Sequence, residues 1–422
     1  MHLTGRRLKA LKPAIFIPTL YFAEGLPYAL VVITSVVFYK NLGESLPFIG
    51  KVTSMFYLAW VLKFAWAPMV DLVGNKKGWI VVAQVMLAIL CVAFVPAIYS
   101  NQTVNLTLIC FSLMALASAT QDVAIDGYYL EVLTKEQQSY FVGVRGAVYK
   151  IAWLFGQGLL VTLVGLLAKH ANMTVNHGWA VAFALCGVIF LASAILHYFG
   201  LPVSNRVPSA VESENKPSIQ TFFIVFRTFF QQAKIGWIVL YILIFRLGDA
   251  FVIKMGPPFL MDEAAKGGLA YSNDVLGIVS SIGLGFLLLG GIVGGIVVSK
   301  YGLKRTLMPT AIIQNASILL YFFLAQFRPD FYVVATFNAF EQFGYGLGNA
   351  AYTVFLLSTV KSQYKAGHYA IATALMALGI MLPGFFSGDL AQALGYKTFF
   401  LVSFLAAIPG MITILLLPLE DK

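Results

Sequence analysis

Charge is scarce in this sequence. Of its 422 residues 11% are Asp, Glu, Lys or Arg, against about 25% in a soluble domain. Since 59% of the chain is hydrophobic, so few charges cannot give it a water-compatible exterior. That excludes an ordinary soluble enzyme, a disordered chain and a nucleic-acid binder. Cysteine is scarcer still. Cys91, Cys110 and Cys186 lie inside apolar runs. An odd count without metal-type spacing gives neither a disulfide framework nor a zinc site, and the three read as small core hydrophobes. The histidines (His2, His170, His177, His197, His368) are scattered and read as peripheral. There is no phosphate-binding glycine loop. No metal or cofactor is expected.

What the chain does have is long apolar runs. A bilayer core needs about 20 such residues per helix. Twelve runs qualify: Pro13–Tyr39, Leu46–Val70, Trp79–Tyr99, Thr103–Gly127, Gln138–Ala168 and Trp179–Leu201, then Ile235–Met261, Asn273–Ser299, Arg305–Gln326, Asp330–Val360, Gly367–Ala393 and Lys397–Leu417. The first follows Arg6, Arg7, Lys9 and Lys12 but is too long for a signal h-region and lacks a small-residue cleavage site. It is expected to be a retained first helix. The fold class expected is an all-α integral membrane protein. With both termini cytoplasmic, 18 of the 28 basic residues fall inside, four lie within spans, and six fall outside: Lys40, Lys51, Lys169, Lys266, Arg328 and Lys397. The positive-inside rule favours that orientation. The net charge of +10 is then mostly a topology signal, with some attraction to anionic lipid.

The longest polar stretch, Pro202–Ser218, divides the spans six and six. The division predicts a first bundle over 1–201, a cytoplasmic linker over 202–233 and a second bundle over 234–422. Within the linker, Ile219–Ala233 carries five phenylalanines beside Arg227 and Gln231. It reads either as an interfacial helix or as an extension of the seventh span. The halves share a turn. Asp71-Leu-Val-Gly74-Asn-Lys76-Lys77 follows the second span, and Ser299-Lys-Tyr-Gly302-Leu-Lys304-Arg305 follows the eighth. Two six-helix halves with this glycine–basic turn resemble the major facilitator superfamily. The resemblance implies pseudo-symmetric bundles, a substrate near the midplane between them and alternating access. Asp71, Lys76, Lys77, Lys304 and Arg305 are the gating candidates at the turns.

An ionisable side chain in hydrocarbon costs at least about 2.5–3.5 kcal/mol and marks function by default. Depth sorts the candidates, at about 1.5 Å per helical residue. Lys63, Lys254 and Asp389 fall close enough to a surface to snorkel. Glu24, Arg246, Asp249 and Glu341 fall near mid-depth, and Lys150 and Asp122 somewhat nearer the cytoplasm, with Asp126 one turn beyond. Spacing groups them by helix face. Asp122, Asp126 and Tyr129 share a face, as do Lys150, Trp153 and Gln157, and Tyr21, Glu24 and Tyr28. The tenth span carries the longest stripe: Asn338, Glu341, Gln342, Tyr345, Asn349 and Tyr352. Such stripes line either a cavity or a helix–helix contact. Asp122 or Asp126 with Lys150 or Arg145 forms a candidate gate pair, and Arg246 with Asp249 a local one. A buried carboxyl without a nearby cation can carry a proton. Glu24 and Glu341 have no base within a turn of their own helix and lead the proton-coupling set, with Asp122, Asp126 and Asp249 behind them. The glycines of the eighth span, Gly283 to Gly295, read as close helix packing.

Four segments go further: Phe22-Ala-Glu24-Gly25-Leu-Pro27, Leu62-Lys63-Phe64-Ala-Trp66-Ala-Pro68-Met-Val-Asp71, Lys77-Gly78-Trp79 and Ala119-Thr-Gln121-Asp122-Val-Ala-Ile-Asp126-Gly-Tyr128. Together they resemble the AmpG muropeptide permease family, mainly over the first half. The resemblance implies import of N-acetylglucosamine–anhydro-N-acetylmuramyl peptides or related saccharides across the bacterial inner membrane, driven by a proton gradient. It makes Gln121, Asp122 and Asp126 the fourth-span polar motif and Lys150 the replacement for an arginine. The chain departs from the family at Glu24, Tyr128 and Tyr129, and it ends after twelve spans. Sugars offer apolar faces to Tyr21, Tyr28, Trp60, Trp153 and Tyr345, and hydroxyls to Gln121, Asn338, Gln342 and Asn349. Lys150 and Arg246 suit a carboxylate. All of these but Trp60, with Asp122 and Gln157, form the substrate-binding set. The partners expected are a small saccharide or glycopeptide and the bilayer, with no nucleic acid, for a monomeric protein that is not an enzyme. An exporter of amphiphiles and a non-transporting sensor or assembly protein remain the alternatives.

Overall fold

The computed structural model describes residues 11–171, 173–202, 219–360 and 365–419. Arg6, Arg7, Lys9, His2, the linker residues 203–218 and the side chain of Asp71 lie outside that set. Ten stretches are long and apolar enough to cross a membrane. They supply spans 1 (Pro13–Asn41), 2 (Leu46–Ala65), 3 (Lys76–Ile98), 4 (Thr103–Val132), 5 (Lys135–His170), 6 (Val175–Gly200), 7 (Ile235–Met261), 8 (Asn273–Tyr301) and 9 (Leu303–Phe327). The tenth stretch, Gly367–Leu416, is two spans joined at Gly395, whose φ of 70° breaks the helix. The remaining span, Phe331–Ser358, is a 28-residue helix whose polar stripe lowers its hydropathy. It is numbered span 10, and the two halves of the long stretch are spans 11 and 12. The twelve expected spans are all present.

Local chemistry fixes the span ends. Ser45, Asn75, Thr134, Thr174 and Asp330 each accept a backbone N–H of the helix they open, and Thr134 forms a full capping box with Gln137. In the repeated turn Gly74 and Gly302 both take positive φ, 72° and 80°, which a side chain would oppose. The linker helix, Ile219–Phe230, stops before a turn in which Lys234 is left-handed (φ 56°). It is therefore a separate helix, not an extension of span 7. Phe229 anchors it edge-on to His368, 5.5 Å between rings. His368 is thus not peripheral. Neither is His197, fully buried and bonded to Gln84 (2.9 Å) and Thr19 (3.0 Å).

The described chain forms two compact units. One holds span 1 up to Val31, Leu62–Gly156 and span 6. The other holds Val32–Val61, the end of span 5 from Gln157, and the chain from the linker helix on. The first is packed around Phe16, Leu20, Tyr21, Ile125 and Tyr128. The second is packed around Tyr241, Phe245, Tyr352 and Phe355. Spans 1, 2 and 5 contribute to both, and each changes unit at or beside an irregular turn. Span 1 does so in a π turn (Leu30–Thr34), span 5 in another (Leu154–Leu159), and span 2 beside the 3-10 turn Lys63–Ala65.

Candidate functional site

Each unit holds a largely buried cluster of ionisable side chains among its described residues. In the first unit span 4 supplies Gln121, Asp122 and Asp126, span 1 supplies Tyr21 and Glu24, and span 5 supplies Arg145. Lys63 comes from the 3-10 turn that ends span 2. Pro68, which lacks an N–H, opens the short helix Ala67–Leu72 beyond that turn. Lys63 does not snorkel: it forms an ion pair with Asp122. Arg145 lies 3.4 Å from Asp126, and the Tyr21 hydroxyl joins them, accepting from Arg145 (3.2 Å) and donating to Asp126 (3.1 Å). The guanidinium also stands over the rings of Tyr21 and Tyr129. Asp122 therefore pairs with a base from span 2, while Asp126 takes the expected Arg145.

Glu24 is 6% exposed, and its Oε2 has no hydrogen-bond partner. Its nearest charged neighbours include the acids of span 4, Asp122 and Asp126. Gln121 is fully buried and donates to the Ala23 carbonyl (2.7 Å), so it ties span 4 to span 1. Beside this cluster stands an aromatic platform. Tyr28 and Trp153 stack at 5.3 Å and 8°, Tyr149 leans on both, and the Lys150 ammonium sits 3.6 Å over Trp153. Gln157 lies inside the π turn that follows Trp153, where the α-helical count no longer applies, and it belongs to the second unit while Lys150 and Trp153 belong to the first.

In the second unit span 7 breaks at Phe245–Arg246. Asp249 thereby falls in the first turn of Leu247–Met261, a favourable place for an acid. Arg246 Nε is 3.9 Å from Asp249, and its guanidinium is 5.1 Å from the Tyr345 ring. Asp249 also accepts from Gln314 of span 9, a buried residue that pattern reading missed. Its polar side chain in the middle of an apolar span was the available signal. Glu341 is 3% exposed and accepts from Gln342 (2.8 Å). Among the described residues it has no ion-pair partner.

The span 10 stripe divides. Asn338 is occupied by Tyr321 and the Val279 carbonyl, and Tyr352 by the Ile242 carbonyl. Those two are helix contacts. Gln342, Tyr345 and Asn349 are only half-buried. Lys254, expected near a surface, is fully buried, bonded to Thr53 (2.9 Å) and set over the Tyr57 ring. Of the gating set, Lys76 pairs with Glu131 and Lys77 donates to the Leu201 carbonyl (2.7 Å). Lys304 and Arg305 are exposed at the start of span 9.

Twelve spans carrying buried ionisable clusters define a membrane transporter, and comparison with known proteins gives its family. Residues 19–264 match the model of the Major Facilitator Superfamily. That is more than half of the chain, which belongs to this superfamily. It is a multi-pass membrane protein and a secondary transporter of small molecules. Within the superfamily it is similar to the anhydromuropeptide permease of Escherichia coli K12, 27% identical over 403 residues that cover 93% of this chain and 77% of that one. It is likewise similar to the putative transporter AmpG 4 of Rickettsia conorii, 26% identical with 93% and 94% covered. The family likeness thus runs well beyond the first half, where the quoted motifs had placed it. Among solved structures, a D-xylose–proton symporter superposes with a TM-score of 0.72 at 14% identity, over 95% of each chain. That likeness speaks for the fold alone.

Proposed function

We propose that this transporter imports muropeptide-like saccharides across the bacterial inner membrane, coupled to protons, with both termini cytoplasmic and the bundles 1–201 and 234–422 alternating about the substrate. The observation that carries the reading is the Glu24 carboxyl, buried, with one oxygen unpartnered, beside Asp122. Two carboxyls in one buried site favour a state in which one of them holds a proton. Glu24 is thus placed to take a proton from one side and release it to the other, while Lys63 keeps Asp122 paired. Glu341, buried without a cation among the described residues, is the corresponding acid of the second unit. The Tyr28–Trp153 platform suits the apolar face of a sugar ring, and Lys150 a muramyl or peptide carboxylate. The similarity to anhydromuropeptide permeases supports this substrate class.

The test is uptake of labelled anhydro-muropeptide into proteoliposomes, with and without an inward proton gradient. The gradient should drive accumulation. Glu24→Gln should abolish that accumulation yet retain substrate exchange at equal pH. No uptake under either condition overturns the substrate reading. Full gradient-driven uptake by Glu24→Gln removes that residue as the proton site.

A further inference from the structure

Span 7 buries a second base beyond the Arg246 turn. Lys254 is fully buried and packed against spans 2 and 11 within the second unit. It stands two turns short of Met261, about 10 Å from that end of the span. Its ammonium donates to Thr53 (2.9 Å) and lies 5.1 Å from the centre of the Tyr57 ring. Among the described residues it has no ion-pair partner, and its other N–H bonds meet no oxygen. The Thr53 hydroxyl is itself committed to the Ile49 carbonyl (2.7 Å). The next hydroxyl, that of Ser54, is fully buried and has no hydrogen-bond partner. Gly384 of span 11 brings these groups together. A Cβ there would lie 2.5 Å from Ser54 Oγ and 3.3 and 3.4 Å from Cγ and Cε of Lys254. No side chain of that residue stands between the serine and the lysine.

We propose that Lys254 and Ser54, brought together at Gly384, form a binding site for a carboxylate. A buried cation without an anion is costly in any interior and within a membrane marks function, so this lysine calls for an occupant of opposite charge. The unused donors, ammonium N–H bonds and one hydroxyl, suit the two oxygens of a carboxylate. The site offers a single positive charge, which a monoanion neutralises, whereas a phosphate dianion would leave it negative. Any larger residue at 384 would cover the hydroxyl. Two sources supply such a group. One is the transported glycopeptide, whose peptide carries carboxylates beyond the one assigned to Lys150, and the other is a free small acid. The first rests on the importer reading, while the site itself does not. In the orientation proposed above the Met261 end is the outer one, so the site lies on the side from which an imported solute arrives.

The test is the thermal midpoint of the full chain in detergent at neutral pH, titrated with the sodium salt of N-acetylmuramic acid, with sodium acetate, with neutral N-acetylglucosamine and with sodium chloride. A ligand that binds the folded chain raises the midpoint as its concentration passes the dissociation constant. N-acetylmuramate should raise it and N-acetylglucosamine should not. An equal rise with acetate assigns the site to free acids, and a rise confined to the sugar acid assigns it to the saccharide. Lys254→Met should weaken the response about tenfold, the scale of one charge-assisted bond. Ser54→Ala, which removes a hydroxyl that nothing in the fold uses, should weaken it severalfold in a chain whose folding it does not threaten. Without ligand, Lys254→Met should melt no lower than the parent, because it removes an unpaired buried charge. A lower midpoint with an unchanged response makes Lys254 a structural contact and overturns the site. So does a parent that does not respond to either carboxylate, or one that responds as strongly to chloride. Neither muropeptide uptake nor a gradient enters the measurement, so failure here is distinct from failure of the importer reading.

Discussion

The two buried clusters satisfy their acids by different means. In the first unit the aspartates of span 4 are held by bases from other helices, Lys63 from the end of span 2 and Arg145 from span 5. In the cluster of the second unit the Arg246–Asp249 pair is local to span 7 and long, at 3.9 Å, and the carboxylate is completed by the neutral amide of Gln314. A cluster tied by charges from several helices depends on how those helices sit. An ion pair built on one helix keeps its partner if the neighbours shift. This difference makes the first unit the more sensitive place for protonation to change helix packing.

Lys63→Met breaks the first cluster and should have the largest effect on stability. Removing one partner of a buried pair costs about 3–5 kcal/mol, because the other charge stays behind. Lys63 and Asp122 are 29% and 14% exposed, which places the loss near the lower end. The thermal midpoint of the detergent-solubilised protein should fall by several degrees, and Lys63→Met with Asp122→Leu should recover most of it. If the double variant is no better than the single, the pair does not hold span 2 to span 4.

Gln314→Leu probes the second cluster and should cost less, about 1–3 kcal/mol for a buried acceptor losing its donor. Asp249 would keep Arg246, so Gln314→Leu should lower the midpoint by about half as much as Lys63→Met. An equal fall would mean that the neutral donor matters as much as the charged one and would remove the contrast between the clusters.

How far the sequence disclosed these clusters follows from the same contrast. Span number, the shared glycine turn and the Arg246–Asp249 pair are local in the chain, and period and spacing report them. The faces carrying Tyr21, Glu24 and Tyr28, and Asp122, Asp126 and Tyr129, are legible for the same reason. The partner of Asp122 is not, because Lys63 is 59 residues away and depth counting along a straight helix sent it to a surface. Its helix is not straight. Gln157 is a related case, since a stripe counted at the α-helical period does not carry through the π turn that holds it. The burial of Lys254 is set by neighbouring helices and leaves no mark on its own span, while the polar side chain of Gln314 in an apolar span is a signal that face spacing alone does not read.

The smallest effect is expected at Arg145→Ala. Arg145 and Asp126 are 36% and 49% exposed, and their separation is 3.4 Å, so the pair belongs with wetted ones worth about 0.2–1 kcal/mol. Stacking on Tyr21 and Tyr129 adds about 0.5–1 kcal/mol at an exposed site. Salt separates this pair from Lys63–Asp122. The Debye length falls from about 10 Å at 0.1 M to about 3 Å at 1 M, which screens the exposed pair but not the buried one. The difference in thermal midpoint between Arg145→Ala and the parent should therefore shrink at high salt, while that for Lys63→Met persists. If both differences shrink alike, Lys63 and Asp122 are as wet as Arg145 and Asp126, and the first cluster is a hydrated cavity lining whose ion pairs do not lock the helices.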